Sequence, residues 1–227
     1  TPKTKALMIN TPNNPTGSVM DEETMRQIAE IAVKHDILVI SDDVYNTLLY
    51  DGAKNTCIAA FPGMKERTAV VNSLSKSYAM TGWRIGFVAG PAELVSAMTK
   101  CQENFNACAN APGQYAGTVA LAHPELCEEL RKVFENRRRL LLDGLKGIKG
   151  IESNDPKGAF YVFADISSFG LSSADFCNRL LDEQKVVCIP GSAFGACGEG
   201  FIRIAYTCSD SDLVEAVARI KTFCESL

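Results

Sequence analysis

Short apolar runs, each too brief to be a helix, alternate along this chain with segments of helical period, and no other feature constrains the fold as much. The strand candidates are Lys5 to Ile9, Ile37 to Ile40, Thr68 to Val71 and Ile85 to Ala89, with a helix from about Asp21 to Lys34 between the first two. Asp21 suits the N-cap, Glu22 and Glu23 suit the positive helix end, and Met25, Ile28 and Ala32 fall on one face. Strand, helix and strand in succession predict an α/β fold with a largely parallel central sheet.

Further along, Ala92 to Glu103 and Gln114 to Ala122 read as helices, and a longer one runs from His123 to about Leu145 with Pro124 in its first turn. Beyond it the pattern changes. Strands are predicted near Ala159 to Ala164, Lys185 to Ile189 and Gly200 to Tyr206, with helices at Ser173 to Glu183 and Ser209 to Phe223. A boundary near residue 125 follows, dividing the chain into a sheet-bearing domain over 1–125 and a smaller α+β domain over 126–227. A chain of 227 residues, 46% of them apolar, can hide roughly 70% of its unfolded surface and needs no covalent staple.

Composition excludes several classes. Lys plus Arg number 23 against 27 Asp plus Glu, a net charge of -4 with no basic stripe, which argues against a nucleic-acid partner. Arg137, Arg138 and Arg139 are expected on a solvated helix face. No run reaches the roughly 18 to 20 apolar residues of a membrane helix, so a soluble, cytoplasmic protein is expected. The nine cysteines are odd in number and lack Cys-x2-Cys spacing, and His35 and His123 lack metal-ligand spacing, so neither a disulfide framework nor a metal site is indicated. Gly191, Gly195, Gly198 and Gly200 lack the strand-to-helix context of a dinucleotide loop.

Three segments at the carboxyl ends of predicted strands are rich in polar residues, where open α/β sheets bind ligands. They are Asn10-Thr11-Pro12-Asn13-Asn14-Pro15-Thr16-Gly17, then Ser41-Asp42-Asp43-Val44-Tyr45, then Asn72-Ser73-Leu74-Ser75-Lys76-Ser77-Tyr78 followed by Thr81-Gly82-Trp83-Arg84-Ile85-Gly86. Each alone reads as a turn or strand terminator. Their order and spacing are more specific: Tyr45 lies three after Asp42, Lys76 three after Ser73, and Arg84 eight after Lys76.

This set resembles the fold-type I pyridoxal phosphate enzymes, most closely the aspartate aminotransferase family. The resemblance implies a partial large domain with a mainly parallel sheet, an α+β small domain, and pyridoxal 5'-phosphate as cofactor. It makes Lys76 the amine that holds the cofactor aldehyde as a Schiff base and carries the proton between substrate Cα and cofactor C4'. It makes Asp42 the carboxylate on the pyridine nitrogen, and Tyr45 with Asn14 the partners of the 3'-oxygen. Arg84 and Ser73, with Ser75 as a further candidate, would hold the phosphate. Arg203, in Phe201-Ile202-Arg203-Ile204-Ala205, would fork the substrate α-carboxylate, with Asn14 nearby. Gly158-Ala159-Phe160-Tyr161 resembles a segment lining the small-domain side of the cleft, and the Asn14-Pro15 bond is often cis in the family.

The implied activity is transfer of an amino group from an L-amino acid to a 2-oxo acid, by a homodimer. Family members carry on the order of 150 more residues ahead of the Asn-Pro-Thr-Gly loop. The chain is therefore expected to be the carboxyl two-thirds of an aminotransferase and inactive alone. A Cβ-Sβ lyase using the same cofactor, or a non-catalytic ligand-sensing domain of a transcription regulator, are the alternatives.

Overall fold

Side-chain oxygens start five of the helices, as the cap residues in the sequence dictate. In the computed structural model, which describes Thr1–Leu227, Asp21, Ser73, Asn110, Ser172 and Ser209 each accept a backbone N–H of the turn they open. The chain divides into two compact units, Thr1–Pro12 with Val19–Leu130 and Asn13–Ser18 with Arg131–Leu227.

The first unit comprises β1 (Ala6–Asn10), α1 (Glu22–Lys34), β2 (Leu38–Asp42), β3 (Thr68–Ser73), α2 (Leu74–Ser77), β4 (Gly86–Ala89), α3 (Ala92–Asn106) and α4 (Ala111–Leu121). Its sheet has the order β1-β2-β3-β4. The first two pairings are parallel, whereas β4 returns antiparallel to β3. Parallel register sets Asn10 beside Asp42 and Asp42 beside Val71, so the carboxyl ends of β1, β2 and β3 lie at one edge of the sheet. Helix α1 covers one face, its Met25, Ala29 and Ala32 packing with Ile9, Val39, Ile58 and Met64. On the opposite face Met8, Leu38 and Ile40 remain exposed. A smaller cluster of Leu74, Met80, Ile85 and Ala120 seats α2 and α4.

Helix α5 (Glu125–Lys146) begins two residues later than the sequence suggests and carries the chain onward. Then follow β5 (Glu152–Ser153), β6 (Tyr161–Asp165), α6 (Ser173–Gln184), β7 (Ile189–Pro190), β8 (Phe201–Ala205) and α7 (Asp210–Glu225). The second unit's sheet, ordered β5-β6-β8-β7, is antiparallel throughout. Val162, Ala164, Ile202 and Ile204 are buried, as are Phe176, Leu180, Ile220 and Phe223 of α6 and α7.

Two expectations need correction in this unit. The strand read over Lys185 to Ile189 shrinks to Ile189–Pro190, because Lys185 ends α6 in a left-handed conformation (φ 59°) and Val187 stays 70% exposed. Arg138 is not on a solvated face: it is buried, donates from Nε to the Pro156 carbonyl at 2.6 Å, and pairs through Nη2 with Asp155. Helical period explains this, since residue 138 shares the inward stripe of Phe134, Leu141 and Leu145.

Candidate active site

In the first unit, β2 ends on Asp42, half-buried, whose carboxylate accepts the Val44 N–H at 3.3 Å while its carbonyl accepts Asn10 Nδ2 at 3.1 Å. Tyr45 is buried in the turn that follows, 4% exposed. Between them sits Asp43, which sequence reasoning passed over. Its N–H donates to the Val71 carbonyl at 2.9 Å, and its buried carboxylate accepts Ser41 Oγ at 2.6 Å. Burial pushes the Asp43 carboxyl above the usual range, against the lowering effect of the Ser41 hydroxyl.

Strand β3 passes directly into α2, and Ser73 is the hinge. Its Oγ accepts the Ser75 N–H at 3.0 Å, donates to the Ile85 carbonyl at 2.9 Å and lies 2.9 Å from Ser75 Oγ. Lys76, half-buried, is carried on this four-residue helix. The helix is tied to the Asp42–Tyr45 loop by Thr47, whose Oγ1 donates to the buried Ser77 Oγ at 2.9 Å. Arg84 closes the 3-10 turn Thr81–Trp83 in a left-handed conformation (φ 55°) and donates from Nη1 to the Thr81 carbonyl at 3.0 Å. Ser73, Ser75 and Arg84 line one cleft of about 770 Å³, and Asp42, Tyr45 and Lys76 are not among its lining residues.

In the second unit, the Asn13–Ser18 loop folds on itself and onto the segment before β6. Thr16 donates its N–H and Oγ1 to Asn13 Oδ1, Gly17 donates to the Asn13 carbonyl at 2.8 Å, and Asn13 donates to the Ser18 carbonyl at 2.9 Å. Asn154 clamps the loop, donating to the Thr16 carbonyl and accepting the Phe163 N–H at 2.9 Å. Gly17 needs to be glycine: at φ 67°, a Cβ would lie 2.4 Å from Pro156 Cβ and 2.9 Å from two carbonyl oxygens. The Asn14-Pro15 bond is cis, and so is Thr11-Pro12.

Asn14 and Arg203 are brought together. Arg203 sits on β8 between Phe163 and Ile189 of the neighbouring strands and donates from Nη1 to Asn14 Oδ1 at 2.7 Å. Its guanidinium lies between the rings of Tyr161 and Phe194, 4.5 and 4.8 Å from their centroids. Its Nε is buried without a partner. Phe194 was not singled out from the sequence, and its only signal there is the glycine-dense loop around it. In that loop Gly191 approaches Gly198 so closely that a Cβ would stand 2.1 Å from a carbonyl oxygen.

The fold that carries these residues is that of the fold-type I pyridoxal phosphate-dependent transferases. It matches the crystal structure of an aromatic aminotransferase from Pyrococcus horikoshii with a TM-score of 0.96 and 43% identity, over 100% of this chain and 61% of that one. The chain belongs to the aminotransferase class I and II family, whose model matches residues 1–220. It is 46% identical over 224 residues to aromatic-amino-acid aminotransferase 2 of Thermococcus litoralis and 46% identical over 224 to an aspartate aminotransferase of Pyrococcus abyssi. In each case the match takes in 97% of this chain and 57% of the relative. No helix is long and apolar enough to cross a membrane.

Proposed function

We propose that these residues serve a pyridoxal phosphate-dependent aminotransferase, which moves the amino group of an L-amino acid to a 2-oxo acid. The observation that carries the reading is Arg203: a guanidinium flanked by two aromatic rings, with a buried, unpartnered Nε beside an amide oxygen. An N–H taken out of water without an acceptor costs free energy, and a substrate carboxylate removes that cost while matching the planar fork.

The donor set also fits the cofactor. Two serines and a permanently charged arginine line one cleft, residue types that suit a phosphate dianion. When bound, pyridoxal phosphate supplies an electron sink for the charge left on substrate Cα. Lys76 is the amine that holds the cofactor and then takes and returns the Cα proton. Asp42 holds a proton on the ring nitrogen, and Tyr45 donates to the 3'-oxygen. Ser73, Ser75 and Arg84 hold the phosphate, while Arg203 with Asn14 orients the α-carboxylate. Aspartate and aromatic amino acids are the donors that the relatives' names suggest.

The test is intact-mass spectrometry after incubation with pyridoxal phosphate and borohydride reduction. One reduced adduct mapping to Lys76, and lost in Lys76→Arg, is expected. Adducts scattered over surface lysines and unchanged in Lys76→Arg refute the assignment.

A further inference from the structure

Arg84 is a Cβ-bearing residue in left-handed backbone, a conformation that persists only where neighbours over-determine it. The structure shows what holds it. On one side the Ile85 carbonyl accepts Ser73 Oγ at 2.9 Å and the Leu74 N–H at 3.2 Å. On the other, the Trp83 carbonyl accepts Asn110 Nδ2 at 2.8 Å, from 27 residues further along the chain. Asn110 is itself fixed, because its Oδ1 accepts the Gly113 N–H at 2.7 Å as the N-cap of α4. Position 113 leaves room for that amide only as glycine: a Cβ there would lie 2.7 Å from Asn110 Oδ1 and 2.8 Å from Ile85 Cδ1.

We propose that Asn110 is a positioning residue for anion binding, its side-chain amide clamping the Trp83–Arg84 turn so that the guanidinium stays on the cleft it shares with Ser73 and Ser75. The inference rests on the reading of Arg84 as a phosphate anchor. Residue chemistry explains the choice of asparagine. Serine, aspartate and asparagine all cap helices, but only asparagine offers both an acceptor for Gly113 and an amide donor long enough for Trp83.

Asn110→Ser separates the two tasks, because serine keeps an uncharged cap and gives up the donor to Trp83. Trp83 is the chain's only tryptophan, so fluorescence reports this turn alone. Affinities for pyridoxal phosphate and for pyridoxal, which lacks the phosphate, are measured by Trp83 quenching in both proteins, with thermal unfolding as the control. The expected result is unfolding within about 2 °C of wild type, in line with retained capping. Trp83 anisotropy should fall, and the dissociation constant for pyridoxal phosphate should rise about tenfold, the upper end of one hydrogen bond's contribution, while that for pyridoxal holds. An unchanged ratio of the two affinities in Asn110→Ser overturns the role of Asn110 and leaves Arg84 as anchor. A wild-type chain that does not prefer pyridoxal phosphate to pyridoxal overturns the anchor reading, and this inference with it.

Discussion

Replacing Gly17 by alanine should weaken the second unit far more than the same replacement at Gly170. The two glycines have nearly the same backbone angle, φ 67° and 68°, and both belong to the second unit. A Cβ at Gly170 meets nothing within 4 Å, whereas one at Gly17 meets Pro156 Cβ at 2.4 Å and the Gly158 and Tyr161 carbonyl oxygens at 2.9 Å. Left-handed backbone costs alanine about 1–2 kcal/mol, and the smaller entropy of the unfolded alanine chain returns about 0.4–1 kcal/mol. Gly170→Ala should therefore cost between about 0 and 1.6 kcal/mol. At Gly17 the obstructing atoms are a proline ring and backbone, which cannot swing aside, so overpacking adds about 1–3 kcal/mol. The total for Gly17→Ala is then about 1–5 kcal/mol. Hydrogen exchange of β6 and β8 peptides along a urea series reads the second unit separately from the first. Equal losses for the two variants would refute the argument that crowding, and not backbone angle alone, fixes glycine at position 17.

Asp43→Asn should stabilise the first unit near neutral pH by about 1 kcal/mol, on the scale of penalties for buried polar groups. Because the folded carboxyl is raised above 3.8, its contribution is most favourable below that value and is lost as pH rises through the folded pKa. The variant's advantage in urea midpoint should therefore vanish in acid, and an advantage independent of pH would count against burial as the cause. Asp155 has the opposite sign. The hydrogen bond from Lys157 and the nearby charge of Arg138 lower its carboxyl, so it stabilises above 3.8 and that stability is lost as pH falls through the lower folded value. Asp155→Asn should flatten the acid limb of the stability curve, and an unaltered limb would contradict the assignment. Burial pushes the Cys188 thiol up to about 12 and those of Cys177 and Cys224 to about 11. Maleimide at neutral pH should modify Cys101, Cys108 and Cys197 in the folded chain and reach Cys177, Cys188 and Cys224 only in urea, and peptide mass spectrometry that finds Cys188 modified as fast as Cys197 would overturn this.

Much of this architecture is legible because local chemistry and tertiary demand agree. Asp21 caps α1, and Met25 and Ala32 line its inner face, as residue type and period require. Where the readings fail, two physical meanings share one pattern. Val186-Val187-Cys188-Ile189 is an apolar run, but a left-handed Lys185 and an exposed Val187 keep most of it out of the sheet. Three consecutive arginines look solvated, yet a turn of 100° per residue sends the middle one inward to the Pro156 carbonyl. Polar loops after β1, β2 and β3 could be located from strand ends alone. Thr47, Asn110 and Phe194 could not, because they act on residues 30, 27 and 9 positions away through contacts that leave no local pattern. The antiparallel return of β4 is equally silent in sequence, since parallel and antiparallel strands share the same period of two.

The open face of the first sheet bears on how the molecule behaves in company. Met8 at 67% exposure, Leu38 at 43% and Ile40 at 36% stand side by side on β1 and β2, and β1 is an edge strand. Contiguous apolar surface of this kind is where another segment or another chain packs. Met8 and Ile40 stand only two residues before Asn10 and Asp42 on the same two strands, so a charge introduced at Met8 would break up this apolar patch beside the candidate site.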